Sequence, residues 1–259
     1  MVKISVVSYL NAKPFIYGLN HSFDFQNHTV SLDIPSVCAR KLLDNEVDLG
    51  LIPVAAIPLL TESHIISNFC IGADGPVNTV MLYSEVPLEQ IRSVFLDYQS
   101  RTSVNLVRVL ANNYWKITPE WINATVGYEK NIKGYRAGLV IGDRAFDLNK
   151  TFPYEYDLAL EWKKFTNLPF VFATWVANKK LETSFIDMFN KALQYGVSNL
   201  DLVLDSIENS LISRNILDDY FKRNISYNLN SEKYQALDLF LNFLKTDLYS
   251  TQNGFIVNN

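Results

Sequence analysis

Apolar residues in the first part of the chain come in short runs separated by polar turns. Residues 3–7 read as a strand and residues 30–34 as a second. A helix follows from Val37 to about Asn45, with Cys38, Leu42 and Leu43 facing inward and Ser36 as its cap. Residues 48–54 then make a buried strand. Strand, helix, strand at this spacing is a βαβ unit, and therefore a parallel sheet. Residues 55–60 continue as a short helix or turn, and 65–71 as another strand. Directly after the first strand, Ser8-Tyr9-Leu10-Asn11-Ala12-Lys13-Pro14-Phe15 is mostly polar, and Pro14 disfavours helix at Lys13. The segment is expected to be a loop at the carboxyl end of the strand, where open α/β sheets present ligands. Ser8 and Asn11 have two uses there, ligand contact or local turn-making.

Gly72-Ala73-Asp74-Gly75-Pro76 interrupts the pattern as a loop, and an extended run over 77–83 carries Asn78 and Thr79. A short helix near 88–91 precedes a strand at 93–96. Val104, Val107, Ala111 and Tyr114 then recur at i, i+3, i+7 and i+10, the buried face of a helix. Residues 124–128 and 137–141 read as two more strands, the latter ending in Gly142-Asp143-Arg144. The apolar run over 168–177 is expected to pass from one sheet back to the other. The remainder is helical, with Phe185, Ile186, Phe189 and Leu193 on one face, and a capped helix over 231–244. No repeat and no Gly/Ser tether interrupts the chain. The expectation is an α/β protein with two small sheets: residues 1–79 with 174–259 in one lobe, and 80–173 in the other.

The polar residues between the strand at 93–96 and the helix after it mark the first candidate site. Ser100 stands where an N-cap would, and Arg101, Thr102 and Ser103 follow it into the helix. A helix start of this kind can be an ordinary cap, or it can hold an anion through outward N–H groups, hydroxyls and the helix dipole.

Composition narrows the ligand. The net charge of −4 comes from interspersed signs with no block of Lys or Arg, which argues against nucleic acid and acidic membrane, since both need clustered cations. An anionic ligand must therefore be held by local donors. The opening residues lack the features of a signal peptide, and no apolar run approaches the roughly 20 residues that cross a bilayer, so a cytoplasmic location is expected. Cys38 and Cys70 lie far apart in apolar segments and read as two buried thiols. His21, His28 and His64 fall outside the candidate motifs, and no metal or cofactor is expected. Asp143, at a strand end, reads equally as a base or as a turn or cap residue.

Several stretches together resemble the chorismate dehydratases of the futalosine route to menaquinone. They are the segments 8–15 and 35–54, Asp74-Gly75-Pro76-Val77, Ser100-Arg101-Thr102-Ser103, Ile141-Gly142-Asp143, Leu168-Pro169-Phe170-Val171-Phe172-Ala173 and Ile225-Ser226-Tyr227-Asn228-Leu229. The match rests on their order and spacing over almost the whole chain. It implies a two-lobed fold like the type II periplasmic solute-binding proteins, with the ligand in a cleft. It also implies a reaction in which chorismate, a small dicarboxylate, loses its ring hydroxyl and a ring hydrogen as water, giving 3-[(1-carboxyvinyl)oxy]benzoate. Two anion sites are then needed, one at Ser100, Arg101, Thr102 and Ser103, the other at Ser8, Tyr9 and Asn11 with Thr79. Asp143 is placed with the binding residues and Asn11 with the chemistry, either holding the enolpyruvyl carboxylate or stabilising developing charge. Two departures are visible: Asn78-Thr79 where family members often have Ser at the second position, and Gln99 where a smaller Ser or Thr is common. Neither removes a donor, so activity is expected to survive. The rivals are the related 1,4-dihydroxy-6-naphthoate synthase, with a bulkier substrate, and a solute-binding protein that performs no reaction. Oligomeric state is not legible.

Overall fold

The structure is a computed structural model in which residues 1–23, 28–208 and 210–248 are described. Among the described residues, eleven strands form two mixed sheets. The six-stranded sheet contains β1 (Val2–Val7), β2 (His28–Asp33), β3 (Leu49–Pro53), β4 (His64–Ala73), β10 (Phe170–Ala177) and β11 (Ser226–Asn228), in the order β11-β4-β10-β3-β1-β2. β1 pairs in parallel with both β2 and β3 and lies between them, so the two strands of the βαβ unit read over 30–54 are parallel but not neighbours. β10 runs antiparallel to β3 and β4 between them.

The second sheet has the order β7-β6-β8-β5-β9, from β5 (Val80–Ser84), β6 (Ser93–Leu96), β7 (Glu120–Asn123), β8 (Arg136–Ile141) and β9 (Tyr154–Asp157). Within it β6 is parallel to β7 and β8, while β5 is antiparallel to β8 and β9.

Helices cover the sheets: α1 (Lys13–Ser22), α2 (Pro35–Leu43), α3 (Thr102–Leu110), α4 (Arg144–Leu148), α5 (Leu158–Thr166), α6 (Thr183–Ser198), α7 (Leu200–Asp205), α8 (Arg214–Asp219) and α9 (Ser231–Phe243). No helix among the described residues is long and apolar enough to cross a membrane. Both cysteines are free and buried.

Several expectations are corrected. The segment after β1 is not a loop: a single 3-10 turn (Leu10–Ala12) runs straight into α1, because Pro14 sits in the first turn, where its missing N–H costs nothing. Likewise Pro35, not Val37, opens α2, which leaves Ser36 inside the helix with no capping bond. Residues 124–128 are not a strand. The strand is β7, just before them, and Gly127 with φ of 83° turns the chain into a short 3-10 turn. β10 does not pass between sheets, since all of it pairs within the six-stranded sheet and the chain has returned there by Phe170. All eight of its residues are buried, and burial on both faces removes the alternation that would have marked it as a strand. The last helix is capped by Asn230, whose side chain accepts from the Lys233 N–H.

Candidate functional site

The ends of strands from both sheets meet the start of α3 and the 3-10 turn that leads into α1 around a small cavity of about 50 Å³. Its apolar walls come from Val7, Pro35, Pro53, Ile71, Val77, Val80, Ile141, Phe172 and Ala173. Its polar groups are Tyr9, Asn11, Thr79, Ser100, Thr102 and Ser103, with the backbone of Gly142. No carboxylate, imidazole, amine or guanidinium is among the described residues that line it.

Six of the nine residues singled out in the sequence are therefore together. At the helix start Arg101, not Ser100, is the N-cap residue of α3, but Ser100 Oγ still accepts from the Ser103 N–H at 2.9 Å, while Thr102 and Ser103 are buried in the wall. Ser8, Arg101 and Asp143 do not line the cavity. Strand alternation turns Ser8 to the opposite side from Val7, where it is exposed and its N–H donates to the Asp33 carbonyl at 2.9 Å. Arg101, half-buried, precedes the helical turn that faces inward. Asp143 turns its carboxylate back, and both oxygens accept from the Leu10 N–H at 3.3 Å. It stands at the N-cap position of its own helix but makes no side-chain capping bond there, it is not a wall residue, and burial pushes its carboxyl up to about 6.

The three histidines are elsewhere. His21 contacts the Tyr17 carbonyl, His28 accepts from the Val2 N–H, and His64 pairs with Glu62. The described residues contain no cluster of three His, Cys, Asp or Glu that could hold a metal ion.

Thr79 is tied to a residue that no sequence motif marked: its Oγ1 lies 2.9 Å from the Tyr220 hydroxyl. Tyr220 is 1% exposed, and burial raises its hydroxyl above the ordinary tyrosine range. It opens a single π-helical turn (Tyr220–Asn224) at the end of α8, a distortion that often accompanies function. The Asn11 Oδ1 atom is buried without a partner, an arrangement that costs about 1–3 kcal/mol unless a ligand completes it.

A second polar network closes the cleft. Asp97, its side chain fully buried, accepts from Tyr128 at 2.9 Å, from the Ile141 N–H at 3.1 Å and from Arg144 at 2.5 Å. Arg144 also pairs with Glu129 at 2.5 Å and donates to Gln99 Oε1 at 3.3 Å. Gln99 Oε1 in turn accepts from the Tyr9 hydroxyl on the other side of the cleft. Each of these residues is polar and scattered in sequence, so nothing local announced the network.

The profile of the menaquinone-biosynthesis family matches residues 2–246. The chorismate dehydratase of Thermus thermophilus is 25% identical over 252 residues, covering 90% of this chain and 91% of that protein. Among solved structures, the Archaeoglobus fulgidus protein AF1704 has a TM-score of 0.76 at 14% identity, with 96% of this chain and 98% of that one covered. A Candida albicans protein described as having the generic periplasmic binding protein fold has a TM-score of 0.64 at 11% identity, with 98% and 92% covered. The alkanesulfonate-binding protein SsuA of Xanthomonas axonopodis, bound to MOPS, has a TM-score of 0.61 at 10% identity, with 97% and 92% covered. The fold is that of the periplasmic binding proteins.

Proposed function

Because this chain belongs to the menaquinone-biosynthesis family, we propose that it is a chorismate dehydratase, a hydro-lyase that converts chorismate to 3-[(1-carboxyvinyl)oxy]benzoate and water in the futalosine pathway. The observation that carries this reading is the make-up of the cavity wall: hydroxyls, an amide and a helix start, with no ionised side chain. Oriented neutral donors in a closed, dry site hold carboxylates far better than they would in water. The start of α3 adds the positive end of its dipole.

With no proton acceptor in the wall, the base is the substrate. The enolpyruvyl carboxylate takes the ring proton from the carbon bearing the ether. That C–H electron pair becomes the new ring double bond as hydroxide departs from the neighbouring carbon, and the carboxylic proton joins it as water. The protein supplies orientation, worth roughly 7–11 kcal/mol in favourable intramolecular cases. Asn11 is the side chain placed on the reacting ring, with Tyr9, Thr79, Ser100, Thr102 and Ser103 around the substrate.

Incubating the purified protein with chorismate and following the ring by proton NMR and mass spectrometry tests this. The expected product is aromatic and lighter by one water. Asn11→Ala is expected to lose about 100-fold or more in kcat, the scale of one preorganised polar group, and His28→Ala is expected to be as active as the parent. Unchanged chorismate sinks the reading. Turnover of a cyclised futalosine derivative instead would identify the naphthoate synthase, and binding without turnover a solute-binding protein. Abolition of activity in Asp143→Asn would mean that an enzymic base, not the substrate, removes the proton.

A further inference from the structure

Two stretches of the cavity wall are held by one carboxylate that stands behind them. Main-chain pairing of β6 with β8 ends at Phe95 and Gly138. Past that point the chain after β6 lines the cavity with Ser100, Thr102 and Ser103, and the end of β8 with the residue after it lines it with Ile141 and Gly142. Asp97 bridges the two where the ladder has stopped. Its Oδ1 accepts from the Gln99 N–H at 2.9 Å, and its carbonyl oxygen accepts from the Ser100 N–H at 3.3 Å, a turn that sets the approach to α3. Its Oδ2 accepts from the Ile141 N–H at 3.1 Å and pairs with Arg144. The Asp97 side chain is fully buried and does not line the cavity. One oxygen therefore holds the lead-in to the helix, and the other holds the strand end.

We propose that Asp97 is a positioning residue for carboxylate binding: it fixes the start of α3 against the Ile141–Gly142 wall, so that the hydroxyls of Ser100, Thr102 and Ser103 meet a ligand carboxylate at a set distance. Resting on the dehydratase reading, this deepens it: the second sheet's half of the dianion site is built by a negative charge that the ligand never touches. An ionised carboxylate only accepts, and the two N–H groups and the guanidinium around this one only donate. Its asparagine isostere cannot serve them. Turned one way, the NH₂ meets the Gln99 N–H; turned the other way, it meets the Ile141 N–H and Arg144. Either the turn or the strand end is then released, while the volume of the side chain is kept.

The test measures equilibrium binding of 3-[(1-carboxyvinyl)oxy]benzoate, which keeps both carboxylates and undergoes no chemistry, beside turnover of chorismate. Losing one buried hydrogen bond is worth about tenfold. Asp97→Asn is expected to raise the product Kd and the chorismate KM together by about that factor or more, with kcat changed by less than about threefold, the signature of lost uniform binding. Asp97→Glu keeps the charge for Arg144 but moves the carboxylate by one methylene. It is expected to show the same joint rise and covers the case in which Asp97→Asn does not fold. Tyr83→Phe is the control for stability alone: Tyr83 is buried in the same sheet, its hydroxyl donates to the Ala145 carbonyl at 3.0 Å, and it is not a wall residue. It is expected to lower the melting temperature and leave both constants unchanged. Unchanged product affinity in folded Asp97→Asn overturns the inference, as does a rise no larger than in Tyr83→Phe or a fall in kcat at constant KM. A rise that vanishes in a Gln99→Ala background would assign the effect to the Arg144–Gln99 contact and overturn it too. Parent protein that binds the product without turning over chorismate overturns the dehydratase reading alone, and the binding comparison still decides this inference. Parent protein that binds neither ligand overturns both.

Discussion

At the scale of single residues, Asp143 makes a prediction about pH. Burial raises its carboxyl to about 6 from an ordinary 3.8, and the Leu10 N–H and Lys13 only partly offset that. The folded chain therefore holds this proton more tightly than the unfolded one. Stability is lost as pH rises through the window from about 4 to about 6, and the penalty is complete above it. Asp143→Asn keeps an oxygen for the Leu10 N–H and removes the charge. It should be more stable than the parent at pH 7–8 by on the order of 1–3 kcal/mol, with the difference closing by pH 4. Urea unfolding of both proteins across that range checks this, and parallel curves would contradict it. Burial also raises Asp157 to about 6, so only the difference between the two proteins isolates Asp143. Legibility of residues in the sequence depends on the same distinction between local and distant partners. Ser100, Thr102 and Ser103 could be brought together from the sequence because a capping hydroxyl and a helix start share one local pattern. Tyr220 could not, because its partner is a hydroxyl 141 positions away in the chain. Asp143 misled because a strand-end Asp is read against its own turn, whereas its partner is an N–H beyond the cleft.

At the scale of elements, the 3-10 turn that carries Asn11 runs straight into α1, whose position is set by a glycine contact with α6. A Cβ on Gly18 would stand 2.0 Å from the Ala192 carbonyl oxygen, and one on Gly196 would stand 1.7 Å from the Pro14 carbonyl oxygen. These are backbone atoms that cannot swing aside. Alanine gains about 1 kcal/mol over glycine in a free helix, but here the helices must separate. Overpacking of this kind costs typically 1–3 kcal/mol. Gly196→Ala is thus expected to lower the melting temperature by several degrees, at roughly 2–4 °C per kcal/mol for a chain of this size class. It should also reduce kcat/KM, because Asn11 moves with α1. A raised melting temperature would mean that propensity outweighs the contact. The elements themselves were legible where apolar runs are set off by polar turns: the unit over β2, α2 and β3, and the faces of α3, α6 and α9. Where both faces are buried, as in β10, or where a proline sits within a helix's first turn, as in α1 and α2, the local pattern pointed the wrong way. α5 escaped notice although Asp157 caps it from the strand before, accepting from Ala159 and Leu160 at 3.0 and 3.1 Å.

At the scale of the whole molecule, the two sheets are held closed over the cavity by few direct polar contacts. The Leu10 N–H reaches Asp143, the Ala55 N–H reaches Thr102 Oγ1 at 3.2 Å, and the Tyr9 hydroxyl reaches Gln99. The Tyr9 ring also lies against Gly142, whose φ of 68° and lack of a side chain make room for it. Gln99 is the part of this set that differs from the Ser or Thr common in the resembled family, and its longer side chain is what spans the gap. It is held from behind by Arg144, itself fixed by Asp97 and Glu129, so the acceptor offered to Tyr9 is rigid. A single bond of this kind contributes about 0.5–1.5 kcal/mol, enough to shift an open–closed balance several-fold but not to abolish closure around a bound dianion. Gln99→Ala should therefore raise KM by a few-fold to about tenfold with kcat nearly unchanged, since apparent affinity falls with the closed fraction. The ligand-free variant should also show a larger radius of gyration by X-ray scattering. A lowered kcat at constant KM would instead place Gln99 in the chemical step, and an unchanged radius would show that the remaining contacts close the cleft without it.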